Sequence, residues 1–254
     1  MIPVRDENPS STRPVVTTAL IVANVVAFLL EWSIVGSEGP QFVVDHGLVP
    51  LRFLANPLGE APTLVSSMFL HGGWEHLGGN MLFLYIFGDN VEDALGKKRF
   101  VLFYLLSGLV AAAAQMAINP TSAVPMVGAS GAIAGILAAY LVLYPRAPIH
   151  VLNPILPLWF ILGMFFVLPA WLVVGEWFVW NLLHGLGSLS APGMGGVAFF
   201  AHLGGFVAGL VSIKPLLHGR DPRPKTPWTQ FRPRSRVGTP RDSTGPFRDP
   251  WYPN

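Results

Sequence analysis

Six apolar stretches, each long enough for a membrane helix or close to it, run through this chain: Val15 to Val35, His76 to Leu95, Phe100 to Ile118, Ala129 to Tyr144, Phe165 to His184, and Val197 to Pro215. A helical span needs roughly 20 apolar residues, fewer where protein shields it. Only 12% of the residues are charged and 52% are hydrophobic. An ordinary soluble domain has about 25% charged residues, so this composition cannot coat a soluble globule. The expectation is a polytopic membrane protein.

Basic residues set the expected orientation. Arg5 and Arg13 precede the first span, Lys97, Lys98 and Arg99 separate the second from the third, and Arg146 separates the fourth from the fifth. Lys214, Arg220, Arg223 and Lys225 follow the sixth span, whereas the alternate loops hold Arg52 alone. The positive-inside rule then places both termini in the cytoplasm, which requires an even number of spans. Six fits and seven does not. Val151 to Leu162 is left over as an interfacial segment or an extension of a tilted fifth helix.

The flanking segments read differently. Met1 to Arg13 is short, polar and mixed in charge, and the run after it has no signal-cleavage pattern, so it reads as a retained signal anchor. The loop Gly36 to Glu75 carries Phe42, Leu48, Leu51, Phe53 and Leu54 between prolines and is expected to form short helices at the outer interface. Residues 218–254 are rich in Arg, Pro, Gly, Ser and Thr and cannot build a core. The expected division is a cytoplasmic segment 1–13, a transmembrane domain 14–217 and a disordered basic tail 218–254. The chain has no cysteine, which excludes disulfides, thiolate chemistry and Cys-ligated metal.

Counting crossings from the cytoplasm brings four polar residues to one depth near the outer surface. His76 and Asn80 stand on one face of the second span, Ser130 opens the fourth, and His202 lies about a turn and a half into the sixth. Gly131 and Gly135 form a small-residue stripe on the fourth span, and Ala201, Gly205 and Gly209 form one on the sixth. Such stripes let backbones touch, which brings a short serine within reach of an imidazole. Gly-x-Ser alone is weak, because Ala132 stands where the soluble hydrolase elbow needs glycine and no strand precedes it. A lone histidine in a span is ordinarily a packed polar group or a ligand. The conjunction carries the case for a serine nucleophile and its base.

These residues resemble the rhomboid intramembrane serine proteases. The similarity covers Ser66 to Gly209: His71-Gly-Gly-Trp-Glu-His76-Leu-Gly-Gly-Asn80, the Gly88 to Gly96 stretch with Glu92, Gly128-Ala-Ser130-Gly131, and Ala201-His202-Leu-Gly204-Gly205. The resemblance implies an all-α membrane protein, a six-transmembrane-helix bundle with an interfacial first loop. It implies an endopeptidase that cuts transmembrane segments of membrane proteins near the outer leaflet through an acyl-enzyme. Ser130 would be the nucleophile and His202 the base, with His76, Asn80 and the Ser130 backbone N–H stabilising the oxyanion. His71, Gly128, Gly131 and Glu92 would support them, Glu92 as a structural hydrogen-bond partner. His71, with Ser66 and Ser67, resembles residues that keep the outer cavity wet. The implied partners are transmembrane-segment substrates and the lipid bilayer of a bacterial or archaeal plasma membrane. No nucleic acid, metal or cofactor is implied, and oligomeric state is not legible.

Two departures from the family pattern stand out. Pro62-Thr63 occupies the place of a Trp-Arg pair in the first loop, and Ala134 stands where some members stack an aromatic ring on the catalytic histidine. Glu176 is an intramembrane carboxylate read as a structural partner. Two alternatives stay open: a haem-binding electron carrier using His71, His76, His184 and His202, and a rhomboid-like pseudoprotease that binds membrane clients without cutting them.

Overall fold

The computed structural model describes residues 1–38, 41–153, 163–190 and 198–220. The expectation for the tail beyond residue 220, and most of that for Val151 to Leu162, fall outside them. Six long helices occupy the six apolar stretches. These are α1 (Val15–Glu38), α6 (Trp74–Leu95), α7 (Lys97–Ile118), α8 (Ser130–Leu143), α9 (Ala170–Ser190) and α10 (Phe199–Leu216). Among the described residues three are long and apolar enough to cross a membrane by length and composition, namely Val15–Ile34, Lys97–Ile118 and Phe199–Leu216. Four short helices build the first loop: α2 (Gln41–His46), α3 (Pro50–Ala55), α4 (Pro57–Glu60) and α5 (Thr63–Ser66). Prolines at the first turns of α3 and α4 suit positions whose N–H has no helical partner.

The centre is α8. Gly131 through Tyr140 are all buried, and α7, α10 and α6 surround them. Small residues make this possible. A Cβ on Gly205 would fall on the Gly131 carbonyl, and one on Gly209 would fall on the Gly135 carbonyl. Backbone therefore meets backbone where α8 crosses α10, as the two stripes require.

The first loop has an anchor in Arg52. Its guanidinium donates to the carbonyls of Val44 at 2.8 Å, Asp45 at 3.2 Å and Gly47 at 3.3 Å, and Nε lies 2.7 Å from Glu60 Oε2. That fork answers for the missing Trp-Arg pair. Paired hydrogen bonds between Leu48 and Met126 then tie this loop to the one that leads into α8.

The all-α expectation needs one correction. A three-stranded antiparallel sheet, ordered β1 (Ile2–Asp6), β2 (Pro148–Leu152), β3 (Phe165–Pro169), closes the end of the bundle where α8 ends and α9 begins. Alternation explains β2, whose Ile149 and Val151 are buried between half-buried neighbours. Pro3 is tolerated because β1 is an edge strand. Phe165–Pro169, read as the start of the fifth span, is strand because a short apolar run carries no period of its own.

Asp6 at the end of β1 accepts hydrogen bonds from Tyr140 Oη at 2.5 Å and Asn90 Nδ2 at 3.2 Å. Burial, reinforced by the charge of Asp89, pushes its carboxyl up to about 7. The folded state thus holds this proton more tightly than the unfolded chain, and stability is lost as pH rises through that value. Asp6→Asn keeps an acceptor but cannot ionise. Relative to wild type it should melt several degrees higher at pH 8 and nearly identically at pH 4 in detergent. Equal melting differences at both pH values would refute the burial argument.

Candidate active site

Ser130 is the first residue of α8, and two residues before it Gly128 adopts φ +117. Only glycine adopts that backbone readily. It is needed sterically as well, since a Cβ there would lie 2.7 Å from His76 Nε2 and 3.5 Å from Asn80 Nδ2. The Gly128 N–H donates to the Ser67 carbonyl at 2.8 Å, which fixes the turn into the helix. At 14 residues α8 is about 21 Å long, roughly a third shorter than a ~30 Å hydrocarbon layer. A helix this short places its first residue below a membrane surface when its far end reaches the opposite one.

His202, in the first turns of α10, meets Ser130 across the glycine contact. Its Nε2 lies 2.7 Å from Ser130 Oγ, a hydrogen-bond distance for serine and base. A Cβ on Gly131, next to the serine, would lie 2.5 Å from Ala111 Cβ and 3.7 Å from the Ala201 carbonyl oxygen, so the glycine permits the close approach of α7.

On the other side of Gly128 stand His76 and Asn80, one turn apart on α6. The Gly72 N–H donates to His76 Nδ1 at 3.4 Å. A nitrogen that accepts carries no proton, so Nε2 bears the hydrogen and faces the Gly128 turn as a donor. Asn80 is buried, and its Nδ2 has no hydrogen-bond partner among the described residues. That nitrogen lies 3.5 Å from where a Cβ on Gly128 would stand, beside the turn that leads into Ser130. The first N–H groups of α8, that of Ser130 among them, have no acceptor inside the helix.

His71 packs edge-on to His76, ring centroids 5.1 Å apart, and its own N–H donates to Glu31 Oε2 at 3.0 Å. Ser66 Oγ donates to the His46 carbonyl at 2.7 Å. Glu92 lies at the far end of α6, where its carboxylate accepts from Val16 N at 3.0 Å, Thr17 N at 2.7 Å and Thr17 Oγ at 2.8 Å. It caps the start of α1 and stands apart from the serine. Glu176 Oε1 lies 3.1 Å from the Met1 amino group.

Three residues escaped the reading of the chain: Glu31, Asn181 and Trp177. Asn181 Oδ1 lies 2.5 Å from His202 Nδ1, and the Trp177 ring is 5.7 Å from the imidazole at 41°. These α9 side chains hold the histidine that Ala134 leaves without a stacking partner. A carboxylate within an apolar run is a signal that could have found Glu31, whereas Asn181 had no comparable one. The haem alternative fares poorly here. Both His202 nitrogens are engaged, and His184 is packed between Trp180 and Phe199.

A bundle of apolar helices that holds a half-buried serine–histidine pair at the end of its central helix defines a class of membrane protein. The Rhomboid domain family matches residues 58–219, and the chain belongs to that family. It is an integral membrane protein. It is 34% identical over 129 residues to rhomboid protease GluP of Bacillus subtilis (strain 168), a match covering 51% of this chain and 24% of that protein. It is 43% identical over 74 residues to rhomboid-like protein 11, chloroplastic, of Arabidopsis thaliana, covering 29% and 26%. Rhomboid protein 1, mitochondrial, of Saccharomyces cerevisiae is 30% identical over 139 residues, covering 52% and 37%. The chain thus matches between about a quarter and two fifths of the length of these relatives.

Proposed function

We propose that this protein is an intramembrane serine endopeptidase that cuts transmembrane segments with Ser130 as nucleophile and His202 as base. The single observation that carries the reading is the 2.7 Å contact between His202 Nε2 and Ser130 Oγ at the glycine-lined crossing of α8 and α10. Oγ attacks the scissile carbonyl while Nε2 takes its proton. His202 returns that proton to the departing amine, leaving an acyl-enzyme, and water then repeats the sequence to free the new carboxylate. The oxyanion is received by Asn80 Nδ2–H, His76 Nε2–H and the Ser130 N–H. In a low-dielectric setting such fixed donors are worth far more than in water.

Topology follows from the charge pattern: six crossings, both termini in the cytoplasm, and the serine below the outer surface. A cavity of about 40 Å³ beside Ser130, walled by Gly108, Ala111, Gly131, Ala132, Ala198 and Ala201, has room for a small side chain or a water molecule or two. It favours substrates with a small residue at the cut.

The test pairs chemistry with biology. A fluorophosphonate should label wild-type protein at Ser130, and membranes carrying it should release ectodomains to the outer side that membranes carrying Ser130→Ala retain. Release on the cytoplasmic side would reverse the proposed orientation. A well-folded protein that neither labels nor releases anything would be a pseudoprotease instead.

A further inference from the structure

The Ser130–His202 pair leaves one thing unspecified: which imidazole nitrogen carries the proton. A histidine protonated on Nε2 presents an N–H to the serine and cannot be its base. Packing against Trp177 restrains the ring plane but does not distinguish the tautomers.

Asn181 does. It is buried in α9, with Oδ1 2.5 Å from His202 Nδ1. Its amide is itself held, because Nδ2 donates to the Trp177 carbonyl one turn earlier at 2.8 Å. Turning the amide over would set its oxygen against that carbonyl oxygen and its NH₂ against the imidazole, forfeiting a buried hydrogen bond. The oxygen therefore faces the ring. An amide oxygen only accepts, so Nδ1 must carry the hydrogen. Nε2 is then bare and accepts from Ser130 Oγ.

We infer that Asn181 is a positioning residue that locks His202 in its base-competent tautomer, turning the pair into a relay that runs from the Trp177 carbonyl through Asn181 and His202 to Ser130. The inference rests on the protease reading above. An amide does this without placing a second charge in a site shielded from water, where an unpaired carboxylate is expensive. Because Asn181 and Trp177 both belong to α9, the relay is complete only when α9 is seated against α10.

Nitrogen-15 NMR of histidine-labelled wild-type protein in detergent, with His202 assigned from a His202→Gln variant, reads the tautomer directly. The expected spectrum at neutral pH has a protonated Nδ1 and a bare Nε2; the opposite tautomer overturns the inference whatever any variant does. Asn181→Leu, nearly isosteric but without an acceptor, should mix the tautomers. It should lower kcat about ten- to hundredfold, a part of what a general base contributes, with KM within about twofold. Fluorophosphonate labelling should slow by the same factor. Asn181→Asp keeps an acceptor facing Nδ1 but sets its second oxygen against the Trp177 carbonyl, so turnover should rise above that of Asn181→Leu without reaching wild type. Wild-type kcat in a folded Asn181→Leu protein would also overturn the inference. If wild-type protein fails to label at Ser130, the protease reading falls, whereas normal labelling with the wrong tautomer removes only the role of Asn181.

Discussion

Alanine at Ser130 or at His202 is expected to abolish cleavage of a transmembrane substrate, by at least about 10⁴-fold, while the protein stays folded; Ser130→Ala should melt as the wild type does and His202→Ala somewhat lower, because Asn181 Oδ1 loses its partner. In the proposed mechanism the two side chains act in one proton transfer, so removing the second after the first should take away almost nothing more. The double variant should be scarcely slower than either single one, as found for serine–histidine units generally. The fold should hold because α8 is packed by Gly131 through Tyr140 below the serine, and α10 meets it through backbone at Gly205 and Gly209. Kinetics with a transmembrane-segment peptide, read beside detergent melting curves, check both halves. Full activity in either folded single variant would overturn the mechanism, and multiplicative losses in the double variant would mean the residues act separately.

The same contacts explain what was legible in the chain. Long apolar runs broken by basic loops mark the helices because lipid leaves a span few alternatives, and the observed helices coincide with those runs to within a few residues at most ends. Small-residue stripes are legible for a related reason, since only glycine and alanine permit the backbone contact between α8 and α10. The sheet was not legible. Ile2–Asp6 is five residues interrupted by Pro3, and it becomes a strand only because β2, some 140 residues on, offers an edge. Asn181 was hidden in a different way. A single amide in an apolar helix carries no periodic signal, and its meaning comes from how α9 lies against α10. Glu92 shows the reverse case, a motif residue whose role is the cap on α1 rather than chemistry.

Asn80→Ala is expected to lower kcat about 10²- to 10³-fold while leaving fluorophosphonate labelling of Ser130 detectable. Losing one oxyanion donor has that order of effect when others remain, and here His76 Nε2 and the Ser130 N–H remain. The stability signature separates this role from a structural one. A side chain that holds the fold together lowers the melting temperature when removed. Asn80 Nδ2 is buried without a partner among the described residues, a state that costs stability rather than supplying it. Its removal should therefore leave the melting temperature unchanged or raise it, the trade between stability and activity expected where a site is organised for its transition state. His76→Ala should lose turnover similarly but melt lower, because its Nδ1 accepts from Gly72 and its ring packs on His71. Wild-type turnover in folded Asn80→Ala would remove Asn80 from the site; a large fall in melting temperature with kcat preserved would make it a packing residue.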